Sequence, residues 1–265
     1  NNDGKDDVIG FVPKTGVWTV GVSDGSKFQN YTLANWSTQV TWVDLLVADF
    51  TGDGRDDVAG RTTTGQWWMA ESNSVVGALA RNDYLTNWST AVTWKDVKAL
   101  DYNGDGLLDI VGRATRTGSD YGDWWIAQTK KESATNYSSD NSYLVSWNER
   151  AGWTVYVGDM DGDGRDDIFG RSSDGQWWVT KRQNSTNTTL RLGTWPNTTY
   201  RATLIGDVDG DGRDDLIGRN SVGKWLVSRF PTGPGSQIDN SPATWQASVD
   251  WLFTGLGEDD GSLFS

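Results

Sequence analysis

Asp159-Met160-Asp161-Gly162-Asp163-Gly164-Arg165-Asp166-Asp167 sets carboxylates at positions 1, 3, 5 and 9 of a nine-residue run, with glycines at 4 and 6. Hard oxygen donors at alternate positions, glycines where the backbone must curl, and a main-chain carbonyl at position 7 form the first part of a calcium loop of the EF-hand kind. Four carboxylates held together repel. At an effective dielectric near 20 and a spacing of about 5 Å each pair costs roughly 3 kcal/mol, so the run calls for a divalent cation. It also recurs. Aligned on the glycines, the expected ligand sets are Asp49, Thr51, Asp53, Arg55 and Asp57; Asp101, Asn103, Asp105, Leu107 and Asp109; Asp159, Asp161, Asp163, Arg165 and Asp167; and Asp207, Asp209, Asp211, Arg213 and Asp215. Arg55, Leu107, Arg165 and Arg213 would act through their carbonyl oxygens. A truncated copy supplies Asp3, Lys5 and Asp7, and a fifth, split site would join these to Glu258 and Asp260 near the other end of the chain. Thr51 stands where the others carry Asp or Asn and weakens its site. At position 12, where a helix-flanked EF-hand has its bidentate Glu, all five copies have Gly. The affinity expected is that of extracellular modules, about 10⁻⁴ to 10⁻³ M, and the role structural rather than catalytic.

The elements that position these loops repeat with them. The fifth-position aspartates, Asp3, Asp53, Asp105, Asp163 and Asp211, are 50, 52, 58 and 48 residues apart, a period that signals a repeat architecture. Each loop continues as two aliphatic or aromatic residues and Gly, in four copies followed by Arg: Arg61, Arg113, Arg171 and Arg219. A turn and a strand opening on Trp follow: Trp18, Trp67, Trp124, Trp177 and Trp225, doubled by Trp68, Trp125 and Trp178. A further series is Trp36, Trp88, Trp147, Trp195 and Trp245, and a last one Trp42, Trp94, Trp153, Tyr200 and Trp251. Every tryptophan of the 17 thus has an address in the repeat. No stretch has sustained helical periodicity, and four short strands per unit predict an all-β fold: a β-propeller of five four-stranded antiparallel blades.

The blades are expected over 249–265 plus 1–38, 39–90, 91–149, 150–197 and 198–248, as a single domain. The segment Val249–Leu256 looks like a first strand without its successors, and the N-terminus supplies strands two to four without a first, so the two ends are expected to pair in one blade and close the ring. Polar loops are expected over 133–142 and 183–189, between third and fourth strands.

Composition excludes more than it selects. There is no Cys and no His, which removes disulfides, thiolate and imidazole metal sites, Cys nucleophiles and Ser-His-Asp triads; the expectation is a protein that is not an enzyme. The net charge of −13 argues against nucleic acid. Much of that acidity is local, since 20 of the 36 acidic residues lie in the five loops. No apolar run approaches the roughly 18 residues of a membrane helix. The chain starts at Asn1 without Met and reads as a mature or excised piece of a larger protein or assembly.

Two residue series are ambiguous. The arginines after the glycine suit bidentate pairing with a carboxylate of a neighbouring blade or loop. The paired tryptophans suit packing between blades, because adjacent residues of a strand face opposite ways. Trp36, Trp88, Trp147, Trp195 and Trp245, placed nearest loops, are the candidates for stacking on a sugar.

The unit Asp-x-Asp/Asn-Gly-Asp-Gly-x-x-Asp-aliphatic-x-Gly-Arg at blade spacing resembles the FG-GAP/VCBS repeats of integrin-like propellers, in a bacterial secreted or surface form, over essentially the whole chain. The resemblance implies Ca²⁺ in each hairpin between strands one and two, and an extracellular or cell-surface location. It also implies ligand recognition by other loops or by the clefts between blades. The ligand expected is a glycan, in a lectin-like manner; the alternative is a surface protein bound by a structural or adhesion module.

Overall fold

The computed structural model describes residues 1, 3–134, 136–183, 186–195, 200–229 and 238–244, the last segment as backbone. All regular structure there is strand apart from one short turn of 3₁₀ helix, Glu149–Ala151. The strands form five antiparallel sheets, the blades of a β-propeller, in two compact units.

The first unit, Asn1–Asp101 with Asp105–Trp147, carries three blades. The first has β1 (Val8–Val12), β2 (Val17–Ser23) and β3 (Phe28–Asn35). The second has β4 (Trp42–Ala48), β5 (Asp57–Thr62), β6 (Gln66–Glu71) and β7 (Arg81–Asn87). The third has β8 (Thr93–Leu100), β9 (Asp109–Thr115), β10 (Tyr121–Ser133) and β11 (Asn136–Asn148). The second unit, Tyr102–Gly104 with Asn148–Ser265, carries two. They are β12 (Thr154–Gly158), β13 (Asp167–Arg171), β14 (Gln176–Gln183) and β15 (Thr186–Thr194), then β16 (Tyr200–Gly206), β17 (Asp215–Asn220), β18 (Lys224–Ser228) and β19 (Ile238–Thr244). Strand order follows chain order in every sheet, so each blade is a meander. The expected strand over 249–256, with Trp245, Glu258 and Asp260, lies outside the described residues, and the first blade has three described strands. The polar loops expected between third and fourth strands are instead strand: β10 runs to Ser133 and β11 begins at Asn136, while β14 runs to Gln183 and β15 begins at Thr186. Thr and Asn on a solvated hairpin satisfy strand pairing as readily as loop geometry, and their polarity concealed it.

The second strands of the second to fifth blades are buried on both faces, which is why they do not alternate; every residue of β9 and β17 is buried. The cores form between successive blades. Trp18, Leu33 and Trp36 pack with Val58 and Ala70. Phe50, Trp67, Met69 and Trp88 pack with Ile110 and Ala127. In the second unit Met160, Phe169, Trp177 and Trp195 pack with Leu216.

The position-12 glycine belongs to this packing. A methyl group on Gly60 would lie 2.7 Å from the Trp36 ring, and one on Gly112 would lie 2.6 Å from that of Trp88; Gly218 receives Trp195 in the same way. The indole then reaches along the next blade to a polar partner. Trp36 Nε1 donates to Asn82 Oδ1 at 2.9 Å, Trp88 Nε1 to Asn141 Oδ1 at 3.0 Å and Trp195 Nε1 to Ser228 Oγ at 2.7 Å.

A second irregularity recurs between β2 and β3, β6 and β7, and β14 and β15, where the fourth strand carries an extra residue. In the first two cases the extra residue is Leu33 and Leu85, both buried, and in the third Leu192. Such bulges re-aim side chains. Here the bulge falls on a leucine and leaves the residue before it opposite the one after the first tryptophan, as Tyr84 lies opposite Trp68.

Candidate metal centres and aromatic surfaces

Each acidic run is the turn between a blade's first and second strands. The glycines at positions 4 and 6 of the four complete loops all have φ between 68° and 80°, a region closed to most side chains. The first aspartate organises the turn. Asp49 accepts from the main-chain N–H groups of Asp53 and Gly54, Asp101 from those of Asp105 and Gly106, and Asp159 from those of Gly162, Asp163 and Gly164. Asp207 accepts from Asp209, Gly210, Asp211 and Gly212, and these bonds hold its carboxyl below the usual range. The fifth-position aspartate accepts from the position-7 N–H, as Asp53 does from Arg55 at 3.0 Å. The loops of one unit nest: a side chain on Gly52 would run into the Gly106 carbonyl, and one on Gly162 into that of Gly212. Asp159 and Asp214 add a reciprocal pair at 2.8 Å each way: Asp159 N–H donates to the Asp214 carboxylate, and Asp214 N–H to the Asp159 carbonyl.

The ninth-position aspartates of the four complete loops are buried at the foot of the second strand, and Asp7 is half-buried. One oxygen ties the end of the third strand: Ser72 N–H donates to Asp57, Thr129 N–H to Asp109 and Ser23 N–H to Asp7, all at 2.8 Å. The other oxygen of Asp57 and of Asp167, together with Oδ1 of Asp161, is buried without a hydrogen-bond partner. Burial, with the neighbouring loop carboxylates, pushes Asp57 up to about 7 and Asp167 up to about 8; burial pushes Asp215 up to about 6. Among the described residues, Asp159, Asp161 and Asp167 offer three carboxylate oxygens within 4.8 Å of one another, and Asp207, Asp209 and Asp211 do the same.

Orphaned buried carboxylate oxygens facing other carboxylates are what an all-oxygen cation site leaves when described by its protein atoms alone, so the residues fit a hard divalent ion. Part of the charge is met by the chain. The position-7 cation folds back on the position-5 carboxylate in Lys5–Asp3, Arg55–Asp53, Arg165–Asp163 and Arg213–Asp211, while Lys181 pairs with Asp161 and Arg229 with Asp209. In the second loop Thr51 and in the third Asn103 reduce the carboxylate count.

The arginine series splits. Arg61 pairs with Asp44 and Arg113 with Asp96, in each case within one blade rather than with the neighbouring blade or loop. Asp44 and Asp96 have φ of 49° and 51° and sit where the first strand bulges against the second. The fourth and fifth blades have no Asp at that place, and the Arg171 guanidinium lies 4.9 Å from the Tyr200 ring centre instead.

The sugar-stacking expectation for the Trp36 series is corrected. Trp36, Trp88, Trp147 and Trp195 are all buried, each edge-to-face with the first tryptophan of its blade at 5.0–5.3 Å. For Trp36, Trp88 and Trp195 the physical reason is the position-12 glycine of the next blade, which leaves room for the ring. The aromatic faces that remain partly open are others. Trp68 meets Tyr84 at 5.4 Å and 70°, and Trp125 meets Tyr143 at 5.9 Å and 75°; Tyr84 is 44% and Tyr143 49% exposed. Sequence reasoning passed over these tyrosines because they belong to no series; a Trp-Trp pair with a cross-strand Tyr was the available signal.

Residues 101–170 and 159–218 match the sequence model of a family described as FG-GAP-like repeat. No curated protein matches the chain. The matched segments hold three of the complete loops; the unit they define, from acidic turn through buried second strand to glycine and arginine, stands again at 49–61 with the same hydrogen bonds and the same Trp in its slot. Residues 101–218 thus carry FG-GAP-like repeats, and they do so in a chain folded as a β-propeller.

Proposed function

We propose that this chain is a calcium-stabilised extracellular binding module whose ligand is neutral carbohydrate, and that it binds rather than catalyses. An interaction role is what the FG-GAP-like repeats and the propeller fold suggest. Calcium rests on one observation above all: the buried, unpartnered oxygens of Asp57, Asp161 and Asp167 among other carboxylates. In each loop the chain supplies the first, third, fifth and ninth side chains and the position-7 carbonyl, and the ion would supply the positive charge that lets the ninth aspartate ionise where it is buried. The ion's place between strands one and two makes it a staple rather than a reaction centre.

Carbohydrate is supported by partly open aromatic rings on rigid strands, by surrounding Asn, Thr and Ser, and by a charge of −13 that repels acidic polymers. The absence of His and Cys from the sequence supports binding over catalysis. A second reading, a protein-interaction module in a larger surface protein, is favoured by Val75, Val76 and Leu79, exposed by 46–64% on the segment between β6 and β7. A glycan array probed in calcium and again in EDTA separates the two. Binding of neutral glycans that weakens with chelation is expected, and an array blank in calcium would leave the protein-interaction reading in its place.

A further inference from the structure

We propose that the β6–β7 and β10–β11 hairpins each carry a saccharide subsite, a notch between Trp68 and Tyr84 and another between Trp125 and Tyr143 that takes one neutral pyranose ring. The inference rests on the carbohydrate reading and gives it a place. In both hairpins the two rings pack edge to face, with 70° and 75° between their planes, so that they form a corner, and the tyrosine is about half exposed. A pyranose has an apolar C–H face to lay on a ring and hydroxyls around its rim, and beside each notch stand groups that would meet those hydroxyls. At β10–β11 the Tyr143 hydroxyl lies 3.0 Å from Ser146 Oγ, which donates to Asp123 Oδ1 at 2.5 Å. At β6–β7 the same places on the two strands hold Gln66 and Asn87, paired in register and both exposed. The notch is preorganised: the buried Leu85 pins the bulge that sets Tyr84 opposite Trp68.

The fourth blade is a built-in contrast. There Trp178 faces Arg191 across the strands, and that guanidinium donates to Gln176 Oε1 at 3.1 Å and Thr194 Oγ1 at 2.6 Å. Arg191 thus stands where the other two hairpins have tyrosine, a cation in place of the second aromatic face. A cross-strand aromatic pair that merely stabilised the hairpin would not need polar partners arranged beside it.

The test is native affinity electrophoresis of the whole chain with calcium, in gels containing xylan, mixed-linkage β-glucan, galactomannan or mannan. Retardation by at least one of the four is expected. Tyr84→Leu and Tyr143→Leu, which keep apolar cover on each tryptophan but remove the flat face, should each weaken it about tenfold, the loss of about 1.4 kcal/mol. The double variant should migrate as if no polysaccharide were present. Arg191→Tyr should strengthen retardation by opening a third notch. Ser146→Ala, which leaves the aromatic packing intact, should weaken binding without moving the melting temperature. Retardation of the wild type that persists in the double variant would overturn the notches and leave the carbohydrate reading standing. No retardation by any of the four would overturn both.

Discussion

Burial favours the protonated form of Asp57 and Asp167 in the folded metal-free chain over a pH range in which the unfolded chain has already given the proton up. Their carboxyls are raised from 3.8 to about 7 and about 8 by burial, with help from the other loop carboxylates. Between those values the folded state binds more protons than the unfolded one, so metal-free stability falls as pH rises. In EDTA the melting temperature should therefore drop from pH 5 to pH 8, and in calcium, which displaces the proton, the slope should flatten; differential scanning calorimetry reads both. Asp167→Asn should raise the EDTA melting temperature at pH 8 and shrink the calcium increment, because the amide removes the repulsion together with the ligand. The Arg113–Asp96 pair makes a second case. Arg113 is 4% exposed, and Asp96→Asn keeps the left-handed backbone, which Asn tolerates, while leaving the cation buried. Chemical denaturation should show a loss of about 3 kcal/mol, and Arg113→Met added to it should recover most of that. The acidic turns could be read from the sequence because a nine-residue loop is self-contained. The partner of Arg113 could not, because a strand bulge, invisible to period-two reasoning, carries Asp96 to it.

At the scale of elements the repeat is a lock of ring into glycine. Trp88 lies over Gly112 as Trp36 does over Gly60, so Gly112→Ala should cost about 1–3 kcal/mol by overpacking, although Ala is the better strand residue. The same change at Gly193, which has nothing within 4 Å of its added methyl, should cost far less; the two melting temperatures side by side check the claim. Strand count, strand order and the loop between strands one and two were all legible, because they follow from apolar runs bounded by glycine turns. What was not legible is which tryptophans are covered. Trp67 and Trp68 are adjacent and of one type, and only the neighbouring blade decides that the first is buried while the second stays partly open. The Trp36 series is a candidate for sugar stacking in the sequence because it lies nearest loops; Trp36, Trp88 and Trp195 are buried because the following blade has no side chain at the point of contact.

For the molecule as a whole, the net charge of −13 is concentrated where a cation is called for, and stability should depend on that cation more than on any one core contact. At calcium about ten times the dissociation constant, each of four loops adds about 1.4 kcal/mol, or roughly 6 kcal/mol in all. For a chain of this size that corresponds to roughly 10–20 °C in melting temperature. The most direct test is the thermal unfolding of the intact chain at pH 7.5 in several millimolar calcium and again in excess EDTA. A rise of that order in calcium is predicted, and coincident melting curves would contradict the account.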